Sequence, residues 1–184
     1  MKKVKPSLQR RNFLLKKMPK NSICAEIGVW KGLFSQQILN MVQPEKLHLI
    51  DPWLFQEEYP NRLYGGKAVK SQEDIDSIYQ LVVEKTEGKN VIIHRDFSSN
   101  VLPNLENNYL DWIYIDGNHS YEFVKQDLEL CFNKVKRGGL IAEDDYNWRE
   151  KENFPIRKAV NELIATGLVT VEGVHQNQFI LKKE

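Results

Sequence analysis

Four acids and a histidine cluster in the second half of the chain: Asp116 and His119, then Glu143, Asp144 and Asp145. Asp116 ends a short apolar run, Trp112 to Ile115, and the other three acids end a second run, Leu140 to Ala142. If these runs are parallel strands joined by a helix, their carboxyl ends share one sheet edge, where open α/β sheets bind ligands. Carboxylates gathered there suit a hard divalent cation, or a ligand rich in hydroxyls and amines. His119 adds an imidazole whose ordinary pKa, about 6.5, suits proton transfer near neutral pH. The plainer alternative is that the acids cap turns and face solvent, although acids without a counter-charge would repel one another.

A second constellation lies near the N-terminus. Glu26-Ile-Gly-Val-Trp-Lys-Gly32 sits where an apolar run, Ile23 to Gly28, gives way to a helical pattern. Gly28 and Gly32 let the backbone turn sharply and approach a ligand closely, with the unpaired N–H groups of a helix N-terminus aimed at it. A pyrophosphate or an amino-acid carboxylate would suit those N–H groups, and Glu26 could neutralise an ammonium. The spacing is G-x-x-x-G and not G-x-G-x-x-G, which counts against NAD. Asp51 ends the next apolar run at the distance expected of an acid that holds both ribose hydroxyls; the plainer alternative is a turn-forming Asp-Pro step. Asp96 and Phe97 follow a third run and could meet an adenine, or cap a short helix.

The elements that must position these groups follow from periodicity. Helices are predicted over Ser7–Lys17, Leu33–Met41, Gln72–Glu87 and Tyr121–Val135, with a last one opened by Asn153 and Pro155 and closed by Gly167. Ser120 is the expected cap of the fourth. Strands are predicted over Ile23–Gly28, Leu47–Ile50, Val91–His94, Leu110–Asp116 and Leu140–Ala142, with Gly138-Gly139 separating the fourth helix from the fifth strand. Leu168–Val174 and Gln178–Leu181 read as a closing antiparallel pair. Trp53 to Lys70 has no clean period and reads as a loop; with Tyr146 to Phe154 it could cover an acceptor, offering Tyr59, Tyr64, Tyr146, Trp148 and Arg149. The alternation implies an α/β fold with a parallel sheet covered on both faces, plus a terminal hairpin that an ordinary dinucleotide-binding domain lacks.

At 184 residues, 41% apolar and 28% charged, the chain has the size and composition of one globular domain, residues 1–184, with residues 1–20 a helical extension. A net charge of +1 gives no bulk attraction to nucleic acid or an anionic membrane. The basic N-terminus (Lys2, Lys3, Lys5, Arg10, Arg11, Lys16, Lys17) lacks the apolar core of a secretory signal, and no apolar run is long enough to span a bilayer. The chain is therefore read as cytoplasmic. Cys24 and Cys131 carry no CxxC spacing and are read as core residues.

Glu26 to Gly32, Ile50 to Trp53 and Ile115 to Tyr121 together resemble the class I S-adenosylmethionine (SAM)-dependent methyltransferases. The likeness is to a small bacterial group with motifs E-I-G-V-x-x-G, I-D-P-W and I-D-G-x-H-x-Y. That resemblance implies a Rossmann-like seven-stranded sheet in the order 3-2-1-4-5-7-6, strand 7 antiparallel. It implies a SAM site built from Glu26, Gly28, Trp30, Gly32, Asp51, Trp53, Asp96, Phe97 and Asp116. Asp116, Asp144 and Asp145 resemble the metal ligands of catechol-type O-methyltransferases, with Glu143 the alternative at the second cluster; Mg²⁺ or Mn²⁺ is the implied ion.

The reading that follows is O-methylation of a small acceptor, a sugar or natural-product hydroxyl, assisted by a divalent cation at Asp116 and with His119 as base. A second keeps the donor, drops the metal, and lets His119 serve transfer to oxygen or nitrogen. An NAD-linked oxidoreductase and a non-catalytic cofactor-binding module are the rivals from other classes. The edge strands and the first helix leave room for a homodimer.

Overall fold

A computed structural model of the chain describes residues 6–175 and 177–184. Lys2, Lys3 and Lys5 of the basic N-terminus lie outside the described residues. In chain order the elements are α1 (Pro6–Leu15), β1 (Ile23–Ile27), α2 (Leu33–Met41), β2 (Lys46–Ile50), α3 (Gln72–Thr86), β3 (Val91–His94) and α4 (Ser98–Val101). There follow β4 (Leu110–Ile115), α5 (Tyr121–Lys134), β5 (Val135–Glu143), α6 (Pro155–Ala165), β6 (Val169–His175) and β7 (Gln178–Lys183). Among the described residues seven strands form one sheet, ordered β3-β2-β1-β4-β5-β7-β6. The first five run parallel; β7 is antiparallel to both β5 and β6. This is the Rossmann-like methyltransferase topology that the motifs implied.

Strand alternation divides the core in two. Cys24, Leu47, Leu49, Trp112 and Tyr114 point to one face, where Leu14 and Leu15 of α1, Phe34 and Ile38 of α2 and Ile75 and Val82 of α3 cover them. Ala25, Ile113, Ile115 and Ile141 point to the other, under Val124, Leu128 and Cys131 of α5 and Ile156 and Val160 of α6. Helices α2, α3, α5 and α6 thus each bury one apolar stripe against the sheet. No helix among the described residues is long and apolar enough to cross a membrane.

Two local expectations are corrected. Gly138-Gly139 does not separate helix from strand: β5 begins at Val135, directly after α5. The glycines belong to an irregularity where the β4–β5 register shifts between Leu110 and Trp112. A Cβ on Gly139 would stand 2.6 Å from the Asp111 carbonyl oxygen, so the close strand approach requires glycine there. Ser120 precedes α5, but its side chain caps nothing; its N–H donates to Asn118 Oδ1 at 2.9 Å. The 53–70 loop also contains a short 3₁₀ turn, Leu63–Gly65.

Candidate active site

β1 and β4 are neighbours in the sheet, although β2 and β3 intervene in sequence, and this break in strand order is where open α/β sheets bind ligands, at the carboxyl ends of the strands. Backbone bonds fasten that edge: Gly28 N–H donates to the Ile50 carbonyl at 3.0 Å, and Asp116 N–H to the Ile27 carbonyl at 2.8 Å. Gly28 has φ +84°, and a Cβ there would lie 2.0 Å from the Asp116 carbonyl oxygen. Only glycine lets the ends of β1 and β4 come this close. Trp30 and Gly32 also adopt positive φ, 54° and 67°, as the chain turns into α2.

Glu26 and Asp51 lie beside this turn, both almost fully buried. Glu26 Oε2 accepts the Ser35 hydroxyl at 2.5 Å. Burial pushes the Glu26 carboxyl up to about 8, against the pull of the Ser35 bond and the Arg11 charge. Asp51 Oδ2 accepts the N–H groups of Val29 and Trp30, each at 2.9 Å, and Oδ1 accepts Trp53 N–H at 2.9 Å. The Tyr64 hydroxyl donates to the same carboxylate. Burial raises the Asp51 pKa, and these donors work against the rise.

The acid cluster has a counter-charge that the sequence reading did not contain. Arg11 reaches in from α1: its Nη2 donates to Asp116 Oδ2 at 2.6 Å and its Nε to Asp144 Oδ2 at 2.9 Å. The guanidinium carbon stands 5.0 Å from the Phe34 ring centroid and 5.4 Å from that of Tyr114. The other oxygen of Asp116 faces His119, with Oδ1 3.7 Å from Nε2, and Asp145 Oδ2 lies 3.8 Å from the same nitrogen. Asp145 takes a left-handed backbone, φ 58°, at the bend after β5. Burial, then the charge of Asp144, raises the Asp145 pKa. Burial holds Glu143 well above the usual carboxylate range.

The set Asp116, Asp144 and Asp145 does not fit a catechol-type metal triad, because Arg11 already engages Asp116 and Asp144. Among the described residues, the acids and histidine whose donor atoms fall within 4.8 Å of one another are Asp116, His119 and Asp145. Glu143 is buried, and burial raises its pKa and so disfavours the charged form, which makes it a poor ligand. A cation at Asp116, His119 and Asp145 would have to share Asp116 with a guanidinium and withdraw the imidazole from proton transfer.

The remaining expected site residues divide. Trp53 is fully buried, and its Nε1–H donates to the Trp30 carbonyl at 3.0 Å, so it holds the turn and presents no ring to a ligand. Asp96 Oδ1 accepts Phe97 N–H and the Asn100 side-chain amide, while α4 itself has no side-chain cap bond and Phe97 stays exposed. Tyr64 turns inward to Asp51, and Arg149 turns to Glu152 at 3.1 Å. The two covering segments do meet: Arg62 is 3.8 Å from Glu150, and its guanidinium carbon lies 5.6 Å from the Trp148 ring. Trp148 packs edge-on against His119 at 4.9 Å.

A family model described as a methyltransferase domain matches residues 25–146, well over half of the chain. The chain belongs to this methyltransferase-domain family. Arg11 lies outside the matched stretch of the domain. The uncharacterized protein R132 of Acanthamoeba polyphaga mimivirus is 25% identical over 147 residues, covering 71% of this chain and 65% of that protein. This methyltransferase-domain chain therefore spans just under two thirds of that relative's length. Among solved structures, SMU.1697c of Streptococcus mutans, in complex with SAH (S-adenosylhomocysteine), superposes with a TM-score of 0.60 at 16% identity, covering all of both chains. The O-methyltransferase NovP gives 0.62 at 18%, covering 96% of this chain and 76% of NovP. An rRNA methylase of Streptococcus thermophilus gives 0.59 at 13%, covering 100% and 98%. At such identities the likeness is one of fold.

Proposed function

We propose that this methyltransferase domain uses SAM to methylate a hydroxyl of a small acceptor, a sugar or a natural product. One observation carries the reading: Glu26, Asp51 and Asp116 stand at the adjoining ends of β1, β2 and β4, with His119 beside them. When bound, SAM supplies an electrophilic methyl group on a sulfonium. Asp51 would hold the ribose hydroxyls, and Glu26 the ammonium of the amino-acid end, whose positive charge favours the ionised carboxylate. Gly28 leaves room for the close approach, and Trp30 and Gly32 shape the turn.

Displacement at carbon needs alignment and a deprotonated acceptor. His119 is placed to take the hydroxyl proton at Nε2, between the carboxylates of Asp116 and Asp145. Those two charges stabilise the imidazolium that forms. Trp148, packed edge-on against the imidazole, limits the ring's swing. No step in this reading passes through a divalent cation.

The carboxylates around the crevice favour neutral or amine-bearing acceptors over anionic ones, and the net charge of +1 offers no general pull on RNA. Both cysteines are buried and unpaired, which suits the cytoplasmic setting of this reading. The test is transfer of labelled methyl from SAM into a panel of sugars, phenols and amines, with thermal shifts by SAH and NAD alongside. Label in a hydroxyl product supports the reading. An SAH shift with no transfer to any acceptor favours a binding module, and an NAD shift without an SAH shift ends the assignment.

A further inference from the structure

We propose that Arg11 is the resident cation of this active site: its guanidinium stands between Asp116 and Asp144, two acids whose resemblance to catechol-type ligands implied a divalent metal, and it orients His119 through Asp116. The role assigned to His119 rests on the methyltransferase reading above; the charge substitution does not.

The contact has the geometry of a built site. Two charge-assisted bonds leave one planar group for two different carboxylates, at 2.6 and 2.9 Å, from residues 105 and 133 positions away in sequence. The Arg11 side chain is 16% exposed, and it lies near the rings of Phe34 and Tyr114, whose π faces attract a cation. Helix α1 is fixed behind it. Leu14 and Leu15 are buried in the core, and Phe13 stacks on His175 of β6 with ring centroids 4.2 Å apart.

Holding Asp116 by Oδ2 leaves Oδ1 directed at His119, so Arg11 is a positioning residue. A guanidinium supplies one positive charge where a metal would supply two. It offsets part of the acids' charge without becoming a Lewis acid toward the acceptor, which leaves deprotonation to the imidazole. A dication added beside it would meet direct repulsion. Without Arg11, Asp116 and Asp144 would face each other with no counter-charge, next to Asp145. That is a divalent-cation site in latent form, because partly buried carboxylates without a partner recruit one.

The experiment uses the full chain, with Arg11→Met to keep the stem and remove the charge, and Arg11→Lys to keep the charge and lose the fork. Mn²⁺ is titrated by calorimetry, SAH binding is followed by thermal shift, and turnover is measured with and without EDTA. The wild type should give no Mn²⁺ heat and keep its turnover in EDTA. Arg11→Met should bind one Mn²⁺ about tenfold tighter than wild type or better, and lose that heat when Asp144→Asn is added. Its turnover should fall and partly recover with Mn²⁺, and Arg11→Lys should lie between. Wild-type Mn²⁺ binding that Asp116→Asn removes, wild-type turnover abolished by EDTA, or Arg11→Met with no gain in Mn²⁺ affinity would each overturn the proposal. If Arg11→Met does not fold, the wild-type titration and Arg11→Lys still decide it. Loss of the SAH shift in wild type would instead strike the methyltransferase reading.

Discussion

The Tyr64 hydroxyl stands 2.7 Å from each carboxylate oxygen of Asp51. This bond ties the loop after β2 to the strand's own terminus. Burial, and next the Asp51 charge, hold the phenol far above its ordinary pKa, so it stays a donor. A ribose diol would offer two O–H donors to the same two oxygens. In the proposed reading Tyr64 therefore yields its place when the donor binds. Tyr64→Phe should tighten SAH by about tenfold, about 1.4 kcal/mol, by removing that competing bond. Calorimetric titration measures it; weaker SAH binding would show that Tyr64 helps to hold the donor.

Gly28 tests how tightly the strand ends are joined. Gly28→Ala must fit a Cβ 2.0 Å from the Asp116 carbonyl, whereas Gly88, also at positive φ, has open space around it. Both variants carry the strain of a left-handed backbone, so their difference isolates the close approach. Thermal unfolding should show Gly28→Ala less stable than Gly88→Ala by about 3 kcal/mol. Equal melting would mean that the strand ends are not so closely joined.

Stability should depend on pH through Glu26. Its pKa rises from 4.5 unfolded to about 8 folded, so the native state binds the extra proton between those values. The stabilisation is complete below pH 4.5 and is lost as pH climbs through 8. His48 acts in the opposite direction: burial lowers it from 6.5 to about 4, and stability falls as pH drops through that range. Melting temperature should therefore decline from pH 6 to pH 9 in wild type, and Glu26→Gln should flatten that decline (circular dichroism melts across the pH series). An unchanged slope would remove Glu26 as its source.

His119→Ala should lower turnover by about 10² to 10⁴, the usual contribution of a positioned base, with SAH affinity changed little. Steady-state kinetics with any acceptor found by label transfer would check this. Equal loss of turnover and of donor affinity would make His119 a structural residue.

The sheet was legible because its strands are short apolar runs that stop abruptly: Ile23 to Ile27 at glycine, Lys46 to Ile50 and Leu110 to Ile115 at aspartate. The strand order came from motif resemblance, since local patterns carry no information on which strand lies beside which. The start of β5 was hidden because Val135-Lys-Arg-Gly-Gly139 reads as a turn, and what extends it is the close fit against β4. Arg11 was hidden for a related reason. The acids called for a positive partner, but the chain has 26 Lys and Arg, and only tertiary structure brings position 11 to positions 116 and 144. Trp53 entered the expected SAM site through the I-D-P-W motif, and a motif does not tell a buried side chain from an exposed one.

The central claim is that the ends of β1, β2 and β4 hold one methyl donor, and titrating SAH into the full chain tests it most directly. We expect one SAH per chain, an affinity about 100-fold weaker in Asp51→Ala, and no heat with NAD. Absence of SAH binding by the folded wild type, or equal affinity in Asp51→Ala, would contradict it.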